Sequence, residues 1–153
     1  MAEREQELEW VERMAMFCAE EYGVPPIAGR ILGWLMICDP PEQSAGQIAT
    51  AIGASKASLA TNMRMLTDAK FVRRRTRPGE RTNYYRVDDD AWETVIRRRM
   101  AGLAEFRDLA ADGIDLAGPG SARAERLRVA YEAYAWIIKL FAEVPRFSTR
   151  RER

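Results

Sequence analysis

Nine lysines and arginines fall between residues 54 and 87: Lys56, Arg64, Lys70, Arg73, Arg74, Arg75, Arg77, Arg81 and Arg86. Only Asp68 and Glu80 oppose them there. Ammonium and guanidinium groups at that density favour a polyanion, above all a phosphate backbone. Ser55, Ser58 and Thr61 lie in the same stretch and carry short hydroxyls suited to base edges or free backbone groups. The expected chemistry is therefore binding. The chain has no histidine, which removes the usual general base and the commonest transition-metal ligand together. No carboxylate constellation or glycine-rich loop takes their place. No catalytic residue, metal site or cofactor is assigned, and an enzyme is not expected.

The basic charge is local. The whole chain is +1 over 153 residues, and residues 1–23 hold seven Glu against Arg4 and Arg13. Positive charge thus concentrates where a polyanion would be met, and the acidic first segment would keep clear of it. At 47% hydrophobic and 31% charged, the chain is too apolar for disorder and long enough to bury a core without disulfides. Cys18 and Cys38 sit in separate apolar segments. They are readable as a redox switch, but the surroundings favour small buried hydrophobes. The N-terminus is acidic rather than a signal peptide, and no apolar run reaches membrane-spanning length. A cytoplasmic protein without membrane contact is expected.

Several elements must position these side chains. Leu8, Val11, Met14, Ala15, Cys18 and Tyr22 recur at helical spacing over 3–22, and Gly23 ends that pattern. Pro25-Pro26 opens a second, nearly all-apolar helix over 26–38, closed by Asp39-Pro40-Pro41. Ser44 and Gln47 have capping-box spacing for a helix over 45–52, with Gly53 at its end. Ser55 then caps a helix to about residue 69. On that helix Leu59, Met63 and Leu66 share a narrow inward arc. Ala57, Ser58, Thr61, Arg64 and Met65 lie opposite. Lys56 and Ser55 are at its N-terminus, where the dipole favours phosphate. Two strand patterns, 71–77 and 82–87, flank Pro78-Gly79-Glu80-Arg81. Arg73, Arg74 and Arg75 alternate faces, so they cannot all reach one partner. Arg77 and Arg81 flank the turn, and either could enter a minor groove. Tyr84, Tyr85 and Val87 read as sheet core rather than as base-stacking residues. A capping box at Asp90 and Glu93 starts a helix over 91–111, broken by Gly113 and then Gly118-Pro119-Gly120. Ser121 caps a last helix over 122–143, Pro145 closes it, and 146–153 form a basic flexible tail.

The order helix–turn–helix then basic hairpin is that of a winged helix-turn-helix. Segment 24–87, and within it IAGRILGWLMICDPPEQS, resembles the GbsR/MarR family of bacterial transcriptional regulators. The resemblance implies a mainly α fold with a small β-hairpin wing and a homodimer of intertwined terminal helices. Residues 1–23 and 91–145 would dimerise, and 24–90 would bind double-stranded DNA. It implies a sequence-specific repressor reading DNA through Ser55, Lys56, Ser58, Thr61, Arg64, Arg77 and Arg81. A winged-helix module that binds protein without operator recognition is the alternative. Beyond residue 90 only helical character carries over. The family has glycine between recognition helix and wing where this chain has Lys70. A lysine forced to positive φ costs roughly 1 kcal/mol, so the turn is expected to differ.

Some relatives respond to small molecules, choline among them. A choline site wants an aromatic cage, for which Trp10, Trp34, Trp92, Tyr131 and Tyr134 are candidate effector walls. Core and interface packing is the plainer reading, because a helical aromatic stripe usually packs. Trp10, Phe17, Tyr131, Tyr134, Trp136 and Phe141 together are more apolar surface than a small winged domain can cover, which also argues for a dimer.

Overall fold

A computed structural model describes residues 2–143, in two compact units that divide between Ala91 and Trp92. The expected closing Pro145 and the tail 146–153 lie outside the described residues. The first unit holds α1 (Ala2–Tyr22), α2 (Pro26–Ile37), β1 (Gln43–Ser44), α3 (Ala45–Ile52), α4 (Lys56–Asp68), β2 (Val72–Thr76) and β3 (Asn83–Val87). The three strands form an antiparallel sheet in the order β1-β3-β2. The two-residue β1 is too short to leave an alternating signature in the sequence.

α2 is the centre of this unit. Ala28, Gly29, Ile31, Leu32, Trp34 and Leu35 are all buried, as its apolar circumference requires. α1 lays Val11, Ala15 and Cys18 against the core. Its approach to α2 is set by Gly29, where a Cβ would stand 2.8 Å from the Ala15 Cα. Arg30 then clamps Glu12 through both carboxylate oxygens across the same pair of helices.

The turn-forming residues act as their chemistry predicts, with one exception. Ser44 Oγ accepts from the Gln47 N–H and Gln47 Oε1 accepts from the Ser44 N–H, which is the expected capping box. Gly53 ends α3 at φ 68°. Lys70 also stands at φ 68°, so the turn after α4 is retained rather than altered. Its strain is offset by a complete Schellman closure. Phe71 N–H donates to Leu66 O at 3.0 Å, Lys70 N–H donates to Thr67 O at 3.2 Å, and Phe71 and Leu66 are both buried.

The second unit contains α5 (Ala91–Ala117, whose first residue closes the first unit) and α6 (Ala122–Ala142). α5 runs six residues past the expected end. Gly113 does not break it, because it is a packing position: a Cβ there would meet the Leu127 Cδ1 of α6 at 3.1 Å. Gly118, at φ 86°, makes the actual break. The start of α5 also differs. Asp88 Oδ1 accepts from the Asp90 N–H at 3.0 Å, while Glu93 pairs with Arg97 instead of reaching back to Asp90. Ser121 caps α6 through the Ala124 N–H, as expected.

Candidate nucleic-acid interface

α4 is built to show one face. Leu59, Met63 and Leu66 are at most 3% exposed and lock it to the core, whereas Lys56, Ala57, Thr61, Arg64 and Met65 are exposed. Ser55 Oγ accepts from the Ser58 N–H at 3.2 Å, so Ser55 is first a cap. Ser58 is half-buried and its carbonyl accepts from the Asn62 amide at 2.8 Å. Thr61 donates to the Ala57 carbonyl at 3.2 Å, which leaves its oxygen free to accept. Among the described residues neither Lys56 nor Arg64 has an ion-pair partner.

The hairpin closes at Arg77-Pro78-Gly79-Glu80, where the Glu80 N–H donates to Arg77 O at 3.1 Å and Gly79 takes φ 77°. Proline second and a positive-φ glycine third are the pattern of a type II turn. Register fixes which arginines share a face: Arg75 is opposite Tyr84, and Arg74 is opposite Tyr85. One face carries Arg73, Arg75, Tyr84 and Arg86, and each of its arginines meets an acid. Arg73 pairs with Asp88 at 3.4 Å, Arg75 with Glu42 at 3.8 Å, and Arg86 with Asp89 at 3.1 Å. Arg77 extends the pattern, 3.3 Å from Glu42 and 3.6 Å above the Tyr84 ring. The Tyr84 hydroxyl donates to Glu80 at 2.6 Å, a bond that raises its pKa above the ordinary tyrosine value. Exposed pairs of this kind contribute little stability, but they neutralise the face locally.

The opposite face carries Arg74 and Tyr85, and it borders a cleft of about 800 Å³ shared with α3 and α4. Lys56 and Arg64 line the same cleft. Of the residues expected to meet DNA, the structure thus brings Lys56 and Arg64 together, leaves Arg81 exposed and without a partner among the described residues, and ties Arg77 to Glu42 and Tyr84. Arg74 and Glu42 were missed as individuals. Strand alternation separates Arg74 from Arg73 and Arg75, but only the register of β3 tells which face is which.

The candidate effector walls divide between the units. Trp34 is 5% exposed, its indole N–H donates to Gln43 Oε1 at 2.8 Å, and the Arg4 guanidinium already sits 4.4 Å over its ring. That ring face holds a cation from the chain itself, which removes Trp34 from the set. Trp10, in the first unit, is half-buried, as are Trp92, Tyr131 and Tyr134 in the second. Tyr134 packs on Phe106 with ring centroids 4.2 Å apart. Both cysteines are buried free thiols. Burial raises the pKa of each, that of Cys38 to about 11. They are small core residues, as their surroundings implied. No group of acids and cysteines among the described residues could hold a metal, and no described helix is long and apolar enough to cross a membrane.

Comparison with known proteins agrees with this geometry. The profile of the MmpR5-like MarR family of transcriptional regulators matches residues 90–146, the part whose sequence had shown only helical character. The HTH-type transcriptional regulator MmpR5 of Mycobacterium tuberculosis is 35% identical over 145 residues, covering 94% of this chain and 87% of that protein. A crystal structure of a transcriptional regulator superposes with a TM-score of 0.66 at 34% identity, covering 90% of this chain and 94% of its own.

Proposed function

The chain belongs to the MarR family of transcriptional regulators, and from that premise we propose that it is a homodimer that binds a specific duplex DNA site and represses the genes beside it. α4 enters the major groove with Lys56, Ser58, Thr61 and Arg64. Ser55 presents the helix N-terminus to a phosphate, and the turn with Arg81 reaches the adjacent minor groove. The observation that carries this reading is the division of α4: three core residues fix one face, while the opposite face is hydroxylated and cationic, its charges unpaired among the described residues. Large apolar side chains left exposed on the second unit, Leu109, Leu116, Val129 and Trp136 among them, supply the surface for a second copy. Relief by a small molecule completes the proposal, with Trp92, Tyr131 and Tyr134 of the second unit as the effector walls.

Selection from random duplexes with the purified full chain tests it. A recovered site should bind more weakly to Arg64→Ala and Arg81→Ala, with the fold retained by circular dichroism. Affinity for that site should also fall steeply with salt. Failure to enrich any sequence, with interactions insensitive to salt, would favour the protein-binding module instead.

A further inference from the structure

A helix in the major groove and a wing in the neighbouring minor groove straddle one sugar-phosphate strand, because that strand is what separates the two grooves. In the DNA-bound state of the reading above, the strand must pass between α4 and the β2–β3 hairpin. The cleft of about 800 Å³ lies there. We propose that this cleft is a backbone-phosphate site and that Arg74 is its contact on the sheet side, facing Lys56 and Arg64 on the helix side. The inference rests on the DNA-binding reading and assigns within it a residue and a phosphate path.

Three observations carry it. Lys56, Arg64 and Arg74 line one space in which Asp68 is the single acid, so the lining is cationic by two charges. None of the three cations has an ion-pair partner among the described residues. The neighbours of Arg74 in the chain are engaged elsewhere: Arg73 with Asp88 and Arg75 with Glu42, on the other face of the sheet. Of the three consecutive strand arginines, two are thus neutralised within the chain, and Arg74, the one left with open donors, is the one that lines the cleft with α4. Thr67, also in the lining, donates its hydroxyl to the Met63 and Arg64 carbonyls at 3.1 and 2.9 Å, which leaves the three cations and the Tyr85 hydroxyl as side-chain donors for a phosphate. A guanidinium there can offer two parallel N–H groups to phosphate oxygens.

The test uses the full-length chain and a duplex recovered by selection with the unaltered protein. Affinity is measured over a salt series for Arg74→Ala, Arg74→Lys, Arg75→Ala and Arg64→Ala, with thermal melts as a check on folding. Arg74→Ala should reduce the slope of log affinity against log salt by about one, and weaken binding about tenfold near 0.1 M salt. Arg74→Lys should restore most of the slope, since the charge remains. Arg75→Ala should leave the slope unchanged. If Arg64→Ala weakens binding and Arg74→Ala does not, the phosphate path lies elsewhere and the inference fails while the DNA-binding reading stands. An equal loss of slope in Arg75→Ala would overturn it too, because the outer face would then be in contact. If none of the variants changes binding, the DNA-binding face itself is wrong.

Discussion

The Glu42 carboxylate lies 3.3 Å from the Arg77 guanidinium and 3.8 Å from that of Arg75, with only 19% of its side chain exposed. One acid from the loop before β1 therefore holds two of the six arginines of the hairpin. A guanidinium already facing a carboxylate and an aromatic ring has less to gain from a phosphate, so Glu42 lowers the wing's attraction for DNA of any sequence. Neutralising it in Glu42→Gln should strengthen binding to an unrelated duplex and steepen its salt slope by about one to two. The unchanged chain and the variant can be compared by fluorescence anisotropy over a salt series. A slope that stays the same would mean Arg75 and Arg77 do not reach DNA even when released.

Lys70 is the one residue other than glycine at positive φ among the described residues. The left-handed conformation costs a lysine about 1–2 kcal/mol, while a glycine there loses more freedom on folding, about 0.5–1 kcal/mol. Lys70→Gly should therefore stabilise the chain by roughly 0.5–1 kcal/mol, raising the melting temperature by about 1–4 °C. A thermal melt of the two proteins checks this. A lower melting temperature for the variant would show that the lysine side chain stabilises the turn by more than its backbone strain costs.

The same position shows how far the sequence could be read. The strain at Lys70 is visible as a departure from the family's glycine, yet the turn keeps its positive φ with a lysine in place. Single-residue propensity omits the burial of Phe71 and Leu66 and the two closing backbone hydrogen bonds. Gly113 misled for a related reason. A glycine within a helical pattern looks like a break until Leu127 of the next helix is seen to need its space. By contrast, the caps at Ser44, Ser55 and Ser121 and the phase of Leu59, Met63 and Leu66 are local or periodic, so they were legible directly. The charge state of the wing was not. Composition gives the number of arginines, whereas Glu42, Asp88 and Asp89 decide which remain available, and they are placed by chain folding and register.

Cys38 should resist thiol reagents in the folded chain. Burial lifts its pKa to about 11 from an ordinary 9.0, so the thiolate that reacts is scarce near neutrality. A folded pKa above the unfolded one contributes stability that is fully present below about pH 9 and is lost as pH rises through about 11. Labelling by an aromatic disulfide at pH 7.5 should therefore be slow in the native protein and fast in denaturant, and the denaturant midpoint should fall between pH 9 and 11. Rapid labelling of the native protein at pH 7.5 would reopen a redox role.

The exposed apolar side chains of the second unit give the dimer a direct test. Leu109 is 67% exposed, Leu116 85% and Trp136 63%, so their present surroundings contribute little to the folding of one chain. In the proposed homodimer they are interface, and a carboxylate buried there would be left without a partner. Leu109→Glu and Trp136→Glu should therefore keep their helical circular dichroism but sediment as monomers. With one winged motif per particle, affinity for a two-fold site should drop by about 10²-fold or more, since the second motif no longer binds at high effective concentration. The two readouts must move together. Variants that stay dimeric with full affinity would place the interface on other residues. Variants that become monomeric with full affinity would show that one winged motif suffices and that the chain does not read its site as a pair.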